Sequence, residues 1–310
     1  MNKCEKFNVF KILQVICLIF IFRISNSFCE VSTYPSTSRK CIGKHQMPLN
    51  ETNLEIREKS WEPFAFDNFD VILSAAELKN SEDNLFVEFS YEDGRVPIIY
   101  GGPLKEYGNF TLARIYWHWL EKSQPQNDLG AIKFPVALHL IFYDTKYESL
   151  DVAGEKGSTI IALAFSFKVV RTTELPFFIE IVQLLQNLRM PDTFDFLPFD
   201  TLPSVADILK GKLGDYYSYH GTTYSTVCLN DVLWFEFMAP LEIGVDFVQQ
   251  MGYLEASDGT PLMEKLNKHY TPQGPVIKSF GSNGVPRWNM MSGMPIFFIT
   301  LIIHLTRCGQ

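Results

Sequence analysis

The chain has 310 residues, a formal net charge of −8, 46% hydrophobic residues and 20% charged residues. Those proportions belong to a globular protein with a sizeable core, in one large domain or two small ones. The acidic balance leaves no basic footprint, so nucleic acid is excluded as a partner, and 26 phenylalanines predict a core packed with large rings.

The chain opens on a leader. Lys3, Lys6 and Lys11 precede an apolar run, Ile12 to Phe22, broken only by Gln14, and Ser25-Asn26-Ser27 then offers small residues for cleavage. Eleven residues fall short of the roughly 20 that span a bilayer, so residues 1–29 read as a secretory signal rather than an anchor. The compartment this implies is oxidising. Cys4 and Cys17 leave with the leader, Cys29 sits at its edge and Cys308 lies in the tail, so Cys41 and Cys228 are the candidates for one disulfide. It would close a loop of about 187 residues, worth roughly 4–5 kcal/mol on loop entropy. Two glycosylation sequons, at Asn50 and Asn109, fit the same compartment.

From 41 to 281 no linker, repeat or composition break interrupts the chain, which predicts one domain, mainly β. Leu85 to Phe89, Ala113 to Trp119, Val136 to Tyr143, Thr159 to Val170 and Val232 to Met238 are rich in aromatic and β-branched residues and read as strands. Thr159 to Val170 is nearly all apolar, the pattern of a strand buried on both faces. Gly101-Gly102-Pro103 marks a sharp turn. Helices are expected over Pro176 to Leu188, Leu202 to Leu209 and Leu262 to Lys268. Beyond them, small residues at Gly281-Ser282-Asn283-Gly284, a polar spacer and the apolar run Met294 to Leu305 follow the pattern of a glycolipid-anchor signal. Ser282 and Asn283 are the attachment candidates and 282–310 the signal. His304, Arg307 and Gln310 depart from the usual greasy ending, and a short or tilted span or a merely apolar tail are the alternatives.

The chemistry concentrates at Tyr116-Trp117-His118 and His139. Residues 116 and 118 of a strand project to one face. A His-x-His strand facing a third histidine on its neighbour is a way to build a three-nitrogen zinc site with an open fourth position. Here the first of those places holds a tyrosine.

At these residues the chain resembles the α-carbonic anhydrases. Ile115-Tyr116-Trp117-His118-Trp119 stands where the family reads Phe-His-Phe-His-Trp. Ala137-Leu138-His139-Leu140-Ile141-Phe142-Tyr143-Asp144-Thr145-Lys146-Tyr147 stands for Glu-Leu-His-Leu-Val-His-Trp-Asn-x-Lys-Tyr. Gln46-Met47-Pro48-Leu49, Phe86-Val87-Glu88-Phe89, Gly101-Gly102-Pro103-Leu104 and Asp215-Tyr216-Tyr217-Ser218-Tyr219-His220-Gly221 match further family stretches in order, and Cys41 and Cys228 fall where secreted members place a disulfide. The resemblance implies a central twisted, mostly antiparallel sheet of about ten strands with peripheral helices, and a zinc at the base of a cleft.

The departures fall on that chemistry. By the same resemblance Tyr116 replaces the first zinc histidine, Tyr224 the gatekeeper threonine, Gln126 the glutamate that supports it and Asp83 the proton-shuttle histidine. Ala137 and Arg114 replace the two residues that orient zinc ligands, outer partners that matter 10–100-fold in metal affinity. The expectation is a protein without hydration activity and without a cofactor, zinc being the metal if one binds. Its partner would be an extracellular protein or surface ligand, with the tail in the membrane. The alternatives are a working zinc hydratase with Tyr116 as an atypical ligand, or a zinc or copper site of different character. Otherwise His118 and His139 are neutral core residues, hydrogen-bonded to Tyr116 or to each other.

Overall fold

A computed structural model describes residues 56–81, 84–91, 94–119, 136–221, 231–262 and 273–280. The first strands are β1 (Ile56–Glu58), β2 (Phe64–Asp67), β3 (Ala75–Asn80), β4 (Leu85–Ser90) and β5 (Ile98–Gly101). The long central strands are β6 (Phe110–Trp119), β7 (Val136–Asp144), β8 (Ile160–Val170) and β11 (Val232–Gly244). Three shorter ones, β9 (Thr193–Phe196), β10 (Tyr216–Gly221) and β12 (Gln273–Ser279), complete a sheet in the order β1-β12-β10-β11-β8-β7-β6-β4-β3-β9, with β2 on β5 and β5 on β6. Only β1–β12 and β8–β11 pair in parallel among the described strands. Around it lie α1 (Leu150–Glu155), α2 (Pro176–Leu184), α3 (Val205–Leu209) and α4 (Val245–Met251). This is the mainly β architecture expected. No helix among the described residues is long and apolar enough to cross a membrane.

Burial is continuous along the central strands. The first eight residues of β8 are all buried, as is nearly all of β7, because both faces of the sheet centre are covered. On one face Leu138, Leu163, Phe165 and Phe235 join the main core. There Trp117 packs on Phe177 and Phe178 of α2, with ring centroids 6.5 Å apart, and on Phe247 of α4 at 5.9 Å. The opposite face carries a smaller cluster that includes Tyr116, Ile141, Ala162, Ala164, Tyr219 and Trp234.

Several element bounds differ from expectation for local reasons. β11 continues past Met238 to Gly244 because a register shift between Phe237 and Leu241 absorbs the irregularity at Pro240 and resumes pairing with β8. The helix expected from Leu202 starts at Val205, where Ser204 and Asp207 form a reciprocal cap: Ser204 Oγ accepts from Asp207 N at 3.1 Å and Asp207 Oδ2 from Ser204 N at 3.0 Å. α2 ends at Leu184 rather than Leu188, and Leu262 alone of the third expected helix lies within the described residues. The turn at Gly101–Pro103 is a short 3-10 segment, Gly102–Leu104. At Gly102, φ is 49° and a Cβ would meet Glu62 O at 2.6 Å, so only glycine fits.

Asn80 is fully buried at the end of β3. Its Nδ2 donates to Leu188 O at 2.9 Å, Met190 O at 3.1 Å and Glu255 O at 3.2 Å, which ties down the segment entering β9.

Candidate functional site

Strand register brings the two histidines and the tyrosine together. Tyr116 of β6 pairs directly with His139 of β7, and His118, two residues along, pairs with Ala137. The same row continues from His139 to Ala164 of β8, Glu236 of β11 and Tyr217 of β10. In the other direction it runs from Tyr116 to Phe86 of β4, Lys79 of β3 and Phe194 of β9. All these side chains share one sheet face.

The rings around His139 form a closed set. Tyr116 meets it edge-on with centroids 5.1 Å apart, Trp234 edge-on at 5.0 Å, and His118 lies nearly parallel at 5.7 Å. His139 is 1% exposed, and neither ring nitrogen has a hydrogen-bond partner among the described residues. Desolvation, assisted by His118, holds its pKa well below the ordinary histidine value, so it is neutral. Burial pushes the Tyr116 phenol well above its ordinary pKa against a small opposing pull from Arg114, so the phenol stays protonated. Trp234 was not among the residues singled out from sequence. The alternation in β11 puts Trp234 and Glu236 on one face, but only the parallel β8–β11 register places that face beside His139.

Glu236 is also buried and accepts from Tyr219 Oη at 3.4 Å, and burial together with this carboxylate raises the Tyr219 pKa. Arg114, where an acceptor would orient a zinc ligand, instead faces Glu88 at 3.7 Å and stands over the Phe86 ring at 5.2 Å. Ala137 offers His139 no polar group. His220 lies in β10, exposed, with Nδ1 3.2 Å from Asp231 Oδ1.

Do these residues fit a zinc ion? A buried histidine with both nitrogens unsatisfied among the described residues is what a ligand lacking its metal looks like. The donor set among the described residues is nevertheless two imidazoles and a phenol whose ionisation burial opposes. No group of three His, Cys, Asp or Glu side chains suited to a metal occurs among the described residues. The set does not fit a three-nitrogen zinc centre.

Tyr224, Gln126, Asp83, Cys41, Cys228, Asn50, Ser282 and Asn283 lie outside the described residues, as do the leader 1–29 and the tail 282–310. Asn109 is described and exposed, immediately before β6.

A neutral His139 in the folded state has a measurable consequence. Below about pH 6.5 the unfolded chain gains a proton that the native site refuses, so stability present above that pH is lost as pH falls toward the native pKa. The slope reaches about 1.4 kcal/mol per pH unit. Urea unfolding between pH 7 and 5 is expected to show a shallower loss for His139→Gln than for the native chain; equal slopes would contradict it.

A family model described as eukaryotic-type carbonic anhydrase matches residues 29–277. The chain is 23% identical to carbonic anhydrase 6 of Homo sapiens over 216 residues, 68% of this chain and 67% of that one. It is 23% identical to carbonic anhydrase 1 of Monodelphis domestica over 237 residues, 74% and 86% of the two. With the carbonic anhydrase-related protein of Homo sapiens identity is 26% over 210 residues, 65% and 68% of the two.

Proposed function

Because the chain belongs to the eukaryotic-type carbonic anhydrase family, we propose that it is a member that has kept the sheet without CO2 hydration. It works outside the cell as a binding or recognition protein, held at the surface through residues 282–310. The observation that carries this reading is Tyr116: it occupies the place opposite His139 where a third imidazole would stand, buried and held protonated. A protonated phenol is a poor substitute for an imidazole nitrogen, and hydration in the family depends on a metal-bound water. Arg114 and Ala137 support the same reading, since neither can accept a hydrogen bond from a ligand imidazole. The leader-like N-terminus and the two sequons support an extracellular setting.

A second reading, an active hydratase with Tyr116 as an atypical ligand, draws on the unsatisfied nitrogens of His139. One experiment separates the two. The full chain is expressed in cells without a metal-binding tag, released by a phosphatidylinositol-specific phospholipase, and analysed by plasma mass spectrometry and CO2 hydration. Release, with less than about 0.1 zinc or copper per chain and no hydration, is the expected result. About one zinc per chain with hydration would replace the first reading by the second, and failure of the lipase to release the chain would remove the lipid anchor.

A further inference from the structure

Among the described strands β9 is the outer one of the sheet, paired to β3 on one side. Large rings stand in solvent there: Phe194 is 59% exposed, Phe196 60% and, just beyond the strand, Phe199 68%. Phe194 and Phe196 meet edge-on at 5.9 Å, so they form a fixed pair. Leu197, next in the chain, is buried in the main core, which puts the two phenylalanines on the opposite sheet face, the one that carries Tyr116 and His139. The strand is also held in place, because the buried Asn80 amide clamps the chain that enters it.

The backbone is poised for pairing. Leu197 N donates to Ala76 O at 3.0 Å. By antiparallel alternation, Asp195 and Leu197 turn their peptide groups toward β3 while Phe194 and Phe196 turn theirs outward. The Phe196 N–H is taken by Asp195 Oδ1 at 2.9 Å. The outward N–H and C=O of Phe194 and the C=O of Phe196 remain directed at the open edge.

Charge decides what can sit there. Asp192, Asp195 and Asp200 interleave with the phenylalanines, with no lysine or arginine between 190 and 200. Two flanking cations are already committed: Lys79, the cross-strand partner of Phe194, lies 2.9 Å from Glu88 and 3.2 Å from Glu77, and Arg189 lies 2.8 Å from Glu255. A second copy paired on this edge would bring two sets of three aspartates together, a like-charge arrangement that opposes association. Asp195 accepts from Asn187 Nδ2 at 3.0 Å and from Phe196 N at 2.9 Å, both neutral donors that leave its negative charge unpaired by a cation, so an incoming strand with basic residues on that face and apolar residues toward Phe194 and Phe196 satisfies both faces at once.

We infer that the β9 edge is the docking site for an extended segment of another protein in which apolar and basic residues alternate, added to the sheet as a further strand. This rests on the reading of the chain as a binding protein and names the chemistry of its partner.

The test uses the full chain and capped, dye-labelled decapeptides, alternating lysine–valine against alternating glutamate–valine, followed by fluorescence anisotropy. The lysine peptide is expected to bind at least about tenfold more tightly, an electrostatic discrimination that weakens with salt. The double variant Phe194→Ser/Phe196→Ser should lose about tenfold or more, while Tyr253→Ser, at another exposed ring, should lose nothing; unchanged thermal melting shows that the variants fold. Equal binding of both peptides, no binding, or no effect of the double variant overturns the inference. So does a dimer of the native chain that the double variant dissolves, since the edge would then belong to a second copy. A chain that binds no metal and no lysine peptide refutes the docking site alone. A metal-loaded hydratase refutes the functional reading whatever the peptide does.

Discussion

Tyr116→His is expected to raise zinc content from below about 0.1 to about one ion per chain, because it completes the three-nitrogen set of a catalytic zinc site. Register makes the expectation specific. Position 116 pairs with His139, and His118 lies two residues along the same face, so a third imidazole arrives on the strand pair that already holds two. His139, buried with unsatisfied nitrogens among the described residues, gains a bonding partner. Zinc at a thousandfold excess over its Kd would add about 4 kcal/mol to folding stability, so a zinc-dependent rise in melting temperature is a second readout. His118→Ala in the same background should abolish both. Hydration is expected only when Tyr224→Thr is added, since the resemblance puts a phenol where the family orients its zinc-bound hydroxide. A Tyr116→His chain that stays free of zinc would move the obstacle from the missing ligand to its surroundings, where Arg114 sits among Glu88 and Phe86.

The largest stability effect is expected at Trp117, between Tyr116 and His118 but on the other face. It is fully buried against Phe177, Phe178 and Phe247, so it joins the sheet to α2 and α4. Trp117→Ala removes that joint and leaves a cavity, at a cost of about 3–5 kcal/mol. At about 2–4 °C per kcal/mol for a domain of this size, the melting temperature should fall by about 6–20 °C. Calorimetry on the full chain checks this. A fall of only a degree or two would mean that the helices contribute little to holding the sheet. Because Trp117 points away from His139, the zinc uptake of a Tyr116→His chain should survive the substitution at a temperature where the fold persists.

The long central strands were legible because their residues settle the matter locally. The apolar run from Ile160 is rich in aromatic and β-branched residues, as are the residues around Trp117, and that enrichment favours a strand over a buried helix. β9 and β10 were not singled out as strands, since Thr193–Phe196 and Tyr216–Gly221 are short and become strands through β3, β11 and β12 rather than through their own pattern. The starts of α3 and β11's extension turned on a side-chain cap and a register shift, details that periodicity averages away. At the site, Tyr116, His118 and His139 could be placed on facing strands from sequence. Trp234 could not, because it reaches His139 across β8, a neighbour relation set by topology. Tyr224, Gln126 and Asp83 rest on the resemblance alone.

The parallel pairing of β8 with β11 has a consequence for how the chain is made. Ile160 pairs with Val232, a sequence separation of 72 residues by subtraction. The centre of the sheet therefore closes only after α2, β9, α3 and β10 have been synthesised, and contacts of such separation fold on the millisecond-to-second scale. Until then β8, apolar on both faces, presents an open edge. A chain released early, at a stop codon or by cleavage before Asp231, would keep that edge permanently open and should aggregate rather than accumulate as a smaller soluble form. For this protein, synthesis through β11 is the point at which the nascent chain becomes safe to release.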